Sequence, residues 1–535
     1  MQRREFLKTA GMAIAVPGLS QALLAGEGPV EKGISRPNIL WISCEDTSPD
    51  LGCYGDKYAD TPNLDGLARQ GCRYDSAFVP YPVCAPTRSS VITGMYPSTI
   101  GTMHMRTGMK GYEAVPPPYV KCFTEYLRAN GYYCTNHKKT DYQFDSPFTA
   151  WDEGRDWRDR LGEMPFFSVI NLTISHESQN WPKENETLIH DPAKVIVPPY
   201  YPDTPIIREN LARYYDNVTK MDKQAGDILE RLDKDGLAEN TVVFFWSDHG
   251  RGLPRCKRWL YDSGIHVPLI VRWPGKIKPN SVCDDFVSLV DLGPTVLSIA
   301  QIKVLSYMEG KAFLGDQKRK PADYIIAGRE RMDLLGVDHI RCIRDKRYKY
   351  IHNFMPERPY AQPIPYRDKM PIMKEWRRLN DAGKLEGAAS LFFQPTKPPE
   401  EFYDIVADPY EINNLIDSAK HQDVIKKMRV QLQEWITSTG DLGSVPEDEL
   451  IERMWPGKKQ PVTAPPAVKT STAKDATVTV TISCSTDGAS IGYRLNNNDR
   501  WKLYAQPINL KAGDVLEAKA IRIGYEESKI TRFTL

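Results

Sequence analysis

Continuous apolar runs alternate with amphipathic stretches along most of the chain, and this alternation predicts strands and helices in turn. "RPNILWISC" (36–44) is apolar throughout, too short for a good helix and the right length for a strand buried on both faces. "YYCTN", "FFSVINLTI" and "TVVFFWS" read as further strands. Between them, "TPNLDGLARQG" offers Thr61 as a cap, Pro62 in the first turn and Gly71 as a stop. "CAPTRSSVITG" repeats that grammar, with Pro86 in the first turn and Gly94 at the exit, so Cys84 falls at or just before a helix N-terminus. "KCFTEYLRANG" and the long "RENLARYYDNVTKMDKQAGDILERLDKDG" complete the helices. Strands and helices in this order predict an α/β fold with a central, largely parallel mixed sheet flanked by helices, here over 36–320.

The texture changes beyond that point. "DHIRCIRDKRYKYIHN" reads as two strands around an Asp345-Lys346 turn, which predicts a smaller antiparallel subdomain over 321–455. "PGKKQPVTAPP" (456–466) is a proline- and lysine-rich linker, and 467–535 carries short β runs between Gly, Asn and Asp turns, the pattern of an appended β-sandwich. At the start, "RREFLK" followed by "TAGMAIAVPGLSQALLA" matches a twin-arginine export signal over 1–27. A periplasmic or secreted protein delivered by the Tat translocase is therefore expected. No other run approaches the ~20 apolar residues of a membrane span.

Composition narrows the chemistry. Seventy Lys plus Arg face 69 Asp plus Glu, so no global basic field argues for nucleic acid, and anion binding must be local. The ten cysteines include no CxxC pair, which excludes a zinc knuckle and a dense disulfide framework and leaves most of them as small buried apolar groups. In open α/β sheets ligands gather beyond the carboxyl ends of the strands. There the sequence places Glu45 and Asp46, then His176, then Asp248-His249-Gly250. Carboxylates converging without cysteine or several histidines favour a hard cation, calcium before zinc. A helix N-terminus lowers a thiol pKa, which makes Cys84 a candidate nucleophile with Arg88 one turn later. A cysteine protease would need a paired histidine and an acyl-oxyanion site, and neither is recognisable.

Cys84-Ala85-Pro86-Thr87-Arg88, with Thr93-Gly94 and Pro97, resembles the signature of the type I sulfatases, whose cysteine is oxidised to formylglycine after translation. "SDHG", "YDSGIHVPLIVRWPGK" and "FYDIVADPYEINNL" extend the resemblance over 36–455. It implies an alkaline phosphatase-like fold, hydrolysis of sulfate esters or sulfamides, and maturation by a formylglycine-generating enzyme. It also implies one calcium ion among formylglycine 84, Glu45, Asp46, Asp248 and His249. The family usually has two aspartates where Glu45-Asp46 stand and often asparagine at His249, so Glu45 is expected to reach the ion differently or to lie behind it. By the same resemblance Arg88 holds the modified residue, Lys257 and Lys139 grip the sulfate, and His176 protonates the leaving atom. The family's "GKWHLG" is replaced by "NHKKTDYQF". Counting from Gly131 puts Lys139 on the family lysine and Asp141 on the family histidine, which makes Asp141 the expected base of the second step. A shift of a residue or two would bring in Lys138 or His137.

"SPDLGCYGD", "GTMHMRTG" and "RERMDLLGVDHIRCIRDKRYKYIHN" are most similar to the heparan N-sulfatase branch, the N-sulfoglucosamine sulfohydrolases. That branch implies a sulfated glycosaminoglycan substrate, with His104, Arg106, Arg329 and Arg331 as candidates for reading its carboxylates or sulfates. The β module resembles chitobiase-type or fibronectin-associated domains of secreted carbohydrate-active enzymes. An O-sulfatase acting on algal polysaccharide is the alternative. A phosphodiesterase or phosphonate hydrolase of the same superfamily, or a glycan-binding protein with unconverted Cys84, are the readings from other classes.

Overall fold

Seven apolar segments assemble into one sheet in the order β3-β4-β1-β5-β6-β2-β7. They are β1 (Asn38–Cys44), β2 (Cys72–Tyr74), β3 (Tyr133–His137), β4 (Phe166–Leu172), β5 (Thr241–Ser247), β6 (Leu269–Arg272) and β7 (Ser281–Cys283). The computed structural model describes residues 36–183, 186–472, 478–496, 498 and 500–535, so the expected export signal at 1–27 lies outside the described residues. β1, β4 and β5 are buried along their whole length, as a sheet covered on both faces requires. β1 pairs in parallel with β4 and β5, and β3 with β4, whereas β6 runs antiparallel to both its neighbours. The sheet is thus mixed and mostly parallel.

Four helices frame the site: α1 (Pro62–Gln70), α2 (Cys84–Thr93), α3 (Phe123–Ala129) and α4 (Pro205–Lys234). α4 starts with Pro205 after Thr204, whose hydroxyl accepts the Ile207 N–H. Its buried Ile207, Leu211, Tyr214, Val218, Met221, Ala225, Ile228 and Leu232 recur every three or four residues and form the stripe that lies on the core. At Thr61 the expected cap takes another form. Its hydroxyl accepts from the Gly52 N–H and donates to Asp65, and it makes no capping bond to α1.

A second, antiparallel sheet of four strands contains Ile340–Arg344 and Tyr348–Asn353 as the hairpin around Asp345-Lys346. The helix Gln422–Thr439 buries Ile425, Met428 and Leu432 against it. Beyond 467, two small antiparallel sheets enclose a core of Val480, Ile482, Ile491, Leu510, Leu516 and Ala518, which is a β-sandwich. This module is seated on the α/β domain. The buried Lys121 ammonium donates to Gly488 O (2.5 Å) and Ser490 Oγ (2.8 Å), and Phe148 meets the Trp501 ring at 5.8 Å. A Cβ at Gly488 would lie 2.3 Å from Pro118 O, and one at Gly524 2.4 Å from Ala114 O, so the backbones touch where side chains would not fit. All ten cysteines are free, and seven of them are buried. Among the described residues no helix is long and apolar enough to cross a membrane.

Candidate active site

Strand register assembles the site. Cys44 is level with Leu172 on β4 and with Ser247 on β5, so the segments leaving three parallel strands emerge side by side. They carry Glu45 and Asp46, His176 and Glu177, and Asp248 and His249. α2 brings Cys84 to the same place as its first residue, fully buried. Several residues here hold a left-handed backbone without being glycine: Asp46 (φ 56°), Arg106 (62°), Lys138 (77°), Asp141 (56°) and Arg258 (77°). Such conformations cost about 1–3 kcal/mol each and mark places where side-chain position outweighs backbone comfort.

The Cys84 sulfur lies 3.3 Å from His249 Nε2 and 3.6 Å from Lys257 Nζ. Burial pushes its thiol up, but Lys257 and Lys139 outweigh burial and bring it down to about 6. Lys257 Nζ is 3.0 Å from both Asp46 oxygens and 2.9 Å from Glu177 Oε1. Asp46 also meets His249 Nε2 at 2.8 Å. Burial opposes a charged His249, yet Asp248 and Asp46 raise it to about 10. Arg88 donates from Nε to Asp248 Oδ2 (3.2 Å) and from Nη1 to Asn171 Oδ1 (2.8 Å), which fixes its fork beside residue 84. His176 Nδ1 lies 2.8 Å from Ser178 Oγ and 3.4 Å from the Ser178 nitrogen, so that side of the ring is held by Ser178 and Nε2 is left for other partners. Burial and Lys257 push His176 down, while Asp46 and Cys84 outweigh them and raise it.

Asp46, Cys84, Asp248 and His249 each offer one donor atom, all within 4.8 Å of one another. Two carboxylates and, after conversion, the oxygen of residue 84 fit a hard dication; His249 would join them as neutral imidazole, a nitrogen ligand that such an ion takes less readily than oxygen. The Glu45 carboxylate stands outside this group, in a short contact with Lys139 and 3.5 Å from Arg88 Nη2, which places it behind the cations that face residue 84.

The divergent loop places Lys139 and Asp141 together. Asp141 Oδ2 is 3.6 Å from Lys139 Nζ and has no hydrogen-bond donor, while Oδ1 is held by Arg106. Burial opposes the Lys139 charge, but Cys84, Glu45 and Asp141 outweigh it and raise the ammonium well above its ordinary value. His137 and Lys138 line a separate cavity of about 290 Å³ with Ile170, Thr173 and Gln224.

Two further expectations are corrected. Arg329 is fully buried over the Trp259 ring (3.8 Å) and donates to Arg258 O (2.6 Å). Arg331 forks onto Glu447 with two 2.6 Å hydrogen bonds. Arg331 is held by protein partners, and Arg329, whose Nε and Nη2 have no hydrogen-bond partner, is fully buried, so neither guanidinium reaches the surface. His104 is buried with neither ring nitrogen hydrogen-bonded, and burial holds it in the neutral form, which is poor for binding an anion. Arg106 alone of the four keeps an exposed edge, 40% of its side chain, beside Asp141.

Sequence reasoning passed over Glu177 and Arg258. Glu177 accepts two hydrogen bonds from Arg258, at 2.9 and 2.8 Å, and its own N–H donates to Asp46 Oδ2 at 2.5 Å. The signal was present, since each adjoins an expected residue, His176 or Lys257.

The Sulfatase family model matches residues 37–161 and 134–302, and the N-sulphoglucosamine sulphohydrolase C-terminal model matches 255–361. The chain belongs to the sulfatase family and is a hydrolase of sulfate esters or sulfamates. It is 40% identical to an ulvan-active sulfatase of Formosa agariphila, over 92% of this chain and 90% of that protein. To the N-sulphoglucosamine sulphohydrolase of Homo sapiens it is 25% identical, over 80% of this chain and 95% of the human protein. The solved structure of a 2-O GAG sulfatase shares the fold, with a TM-score of 0.58 at 18% identity over 76% of this chain and 93% of that one.

Proposed function

We propose that this protein removes O-linked sulfate from an algal polysaccharide of the ulvan type, using formylglycine at position 84 and one calcium ion. The observation that carries the substrate is the 40% identity to an ulvan-active sulfatase, which extends over 92% of the chain. Heparan N-sulfate is the second reading, favoured by the match of 255–361 to the N-sulphoglucosamine sulphohydrolase C-terminal model.

Converted to formylglycine and hydrated, residue 84 supplies the nucleophilic oxygen that a thiol cannot also release. Calcium held by Asp46, Asp248, His249 and residue 84 would polarise the sulfate and acidify that hydroxyl. Lys257, 3.6 Å from the Cys84 sulfur, and Lys139, whose charge also acts on that thiol, take up the charge of the sulfate oxygens. Arg88 keeps residue 84 and Asp248 in register. His176 donates its Nε2 proton to the departing sugar oxygen. Asp141 accepts the proton of the second hydroxyl as sulfate is expelled, through the Oδ2 that has no donor in the folded chain. The arginine pair and apolar run of 1–27 support export by the Tat pathway, with a formylglycine-generating enzyme acting on the chain.

Sulfate release by the converted enzyme, quantified by ion chromatography on ulvan oligosaccharides and on N-sulfoglucosamine, decides between the substrates. Release from the former alone is expected. Release from N-sulfoglucosamine alone would overturn the assignment in favour of the second reading.

A further inference from the structure

Two short 3-10 turns face each other at the mouth of the site. One, Glu177–Asn180, starts at His176 and ends at Trp181. The other, Arg367–Lys369, starts at Tyr366. Ile364, just before it, belongs to the same buried cluster as Val83, Cys84 and Ala85, so the segment that carries Tyr366 is anchored beside residue 84. The Tyr366 ring lies 6.0 Å from the His176 ring and 4.8 Å from that of Trp181. Both aromatics are half-buried and their rings are inclined at 62°, with the Trp181 Nε1 turned inward. Lys369 is exposed, with its ammonium 4.4 Å from the Trp181 ring centre. The acid beside it, Asp368, is occupied by Arg367 at 2.7 Å and Arg377 at 3.7 Å.

We propose that Tyr366 and Trp181, inclined to one another, form an aromatic platform against which the sugar released with the leaving oxygen rests, and that Lys369 binds an anionic group on the adjoining sugar. This rests on the sulfatase reading above and makes the substrate an anionic oligosaccharide rather than a lone sulfated sugar. The platform begins at the residue that protonates the leaving oxygen, so a sugar attached to that oxygen must pass over it. Aromatic faces suit the apolar C–H face of a sugar ring. An exposed ammonium beside them suits a carboxylate or a second sulfate.

The test uses full-length converted enzyme with a sulfated, uronate-containing oligosaccharide, its carboxyl-reduced form, a form stripped of its neighbouring sulfates, and p-nitrophenyl sulfate. In Trp181→Ala the ratio of kcat/KM on the oligosaccharide to that on the aryl sulfate falls about ten-fold. In Lys369→Ala, a change at an exposed position, the ratio falls about five-fold, mainly through KM, and the loss shrinks in high salt. Carboxyl reduction abolishes the Lys369 effect if the anion is a uronate, and removal of neighbouring sulfates abolishes it if the anion is a sulfate. Ratios equal to wild type in both variants would overturn the subsite. Titration of the desulfated oligosaccharide into both proteins reads the same contacts without turnover, so an enzyme inactive on every substrate would count against the sulfatase mechanism and leave the subsite to be judged by binding.

Discussion

Glu177→Ala is the most informative single change, because Glu177 stands between two buried cations. Its carboxylate accepts two hydrogen bonds from Arg258 and meets Lys257 at 2.9 Å, and all three residues are at most 2% exposed. Removing it leaves both cations without a counter-charge on that side, a change that costs about 3–5 kcal/mol for a buried pair. An independent route gives a similar magnitude. Burial raises the Glu177 carboxyl, but Arg258 and Lys257 outweigh burial and bring it from 4.5 down to about 2, a difference equivalent to about 3 kcal/mol. At roughly 2–4 °C per kcal/mol for a large domain, calorimetry should show the melting point of the α/β domain falling by about 6–20 °C. Lys257 would retain only Asp46 as an anchor, so kcat/KM should fall at least about ten-fold, with Glu177→Gln intermediate because it keeps the shape and one acceptor. A Glu177→Ala enzyme that melts within a degree of wild type and keeps its kcat/KM would refute the claim that this carboxylate positions the sulfate-gripping lysine.

Other parts of the account can be tested separately. Asp141→Asn should lower steady-state sulfate release about a hundred-fold while desulfated sugar still appears in the first turnover, and an unchanged steady-state rate would remove Asp141 as the base. Burial raises the Glu330 carboxyl, but Arg341 and the hydrogen bond from His339 outweigh it and bring it to about 2. The stabilisation, about 3 kcal/mol, is therefore complete above about pH 4.5 and is lost as the pH falls toward 2. The urea-unfolding difference between wild type and Glu330→Gln should accordingly be smaller at pH 3 than at pH 7, and an equal difference at both would contradict the pairing. Gly524→Val places a side chain against Ala114 O at a φ of 79°, so faster proteolysis of the 456–466 linker is expected, and wild-type resistance would show that the module is not held by this contact.

What could be read before folding, and what could not, has a physical basis. "RPNILWISC", "FFSVINLTI" and "TVVFFWS" were legible as strands because full burial on both faces leaves no polar position within them. The start of α2 was legible because proline and glycine bracket it, and that bracket alone put Cys84 at a helix end. The fate of Glu45 was not, because its partner Lys139 lies 94 residues away on a loop that departs from the family pattern. Arg331 failed for the same reason, since a local motif cannot show that Glu447, 116 residues downstream, already occupies the guanidinium. Tyr366 had no local signal at all, because only the return of its segment beside residue 84 brings it to the site.

The central claim is that Cys84 is the precursor of the nucleophile, and peptide mass spectrometry across 79–97 tests it most directly. The protein should come from its own host or be coexpressed with a formylglycine-generating enzyme. The account predicts a peptide lighter by roughly 18 mass units, the difference between thiol and aldehyde, in a fraction that tracks sulfate release. A full-mass thiol in protein that releases sulfate at an undiminished rate would contradict it.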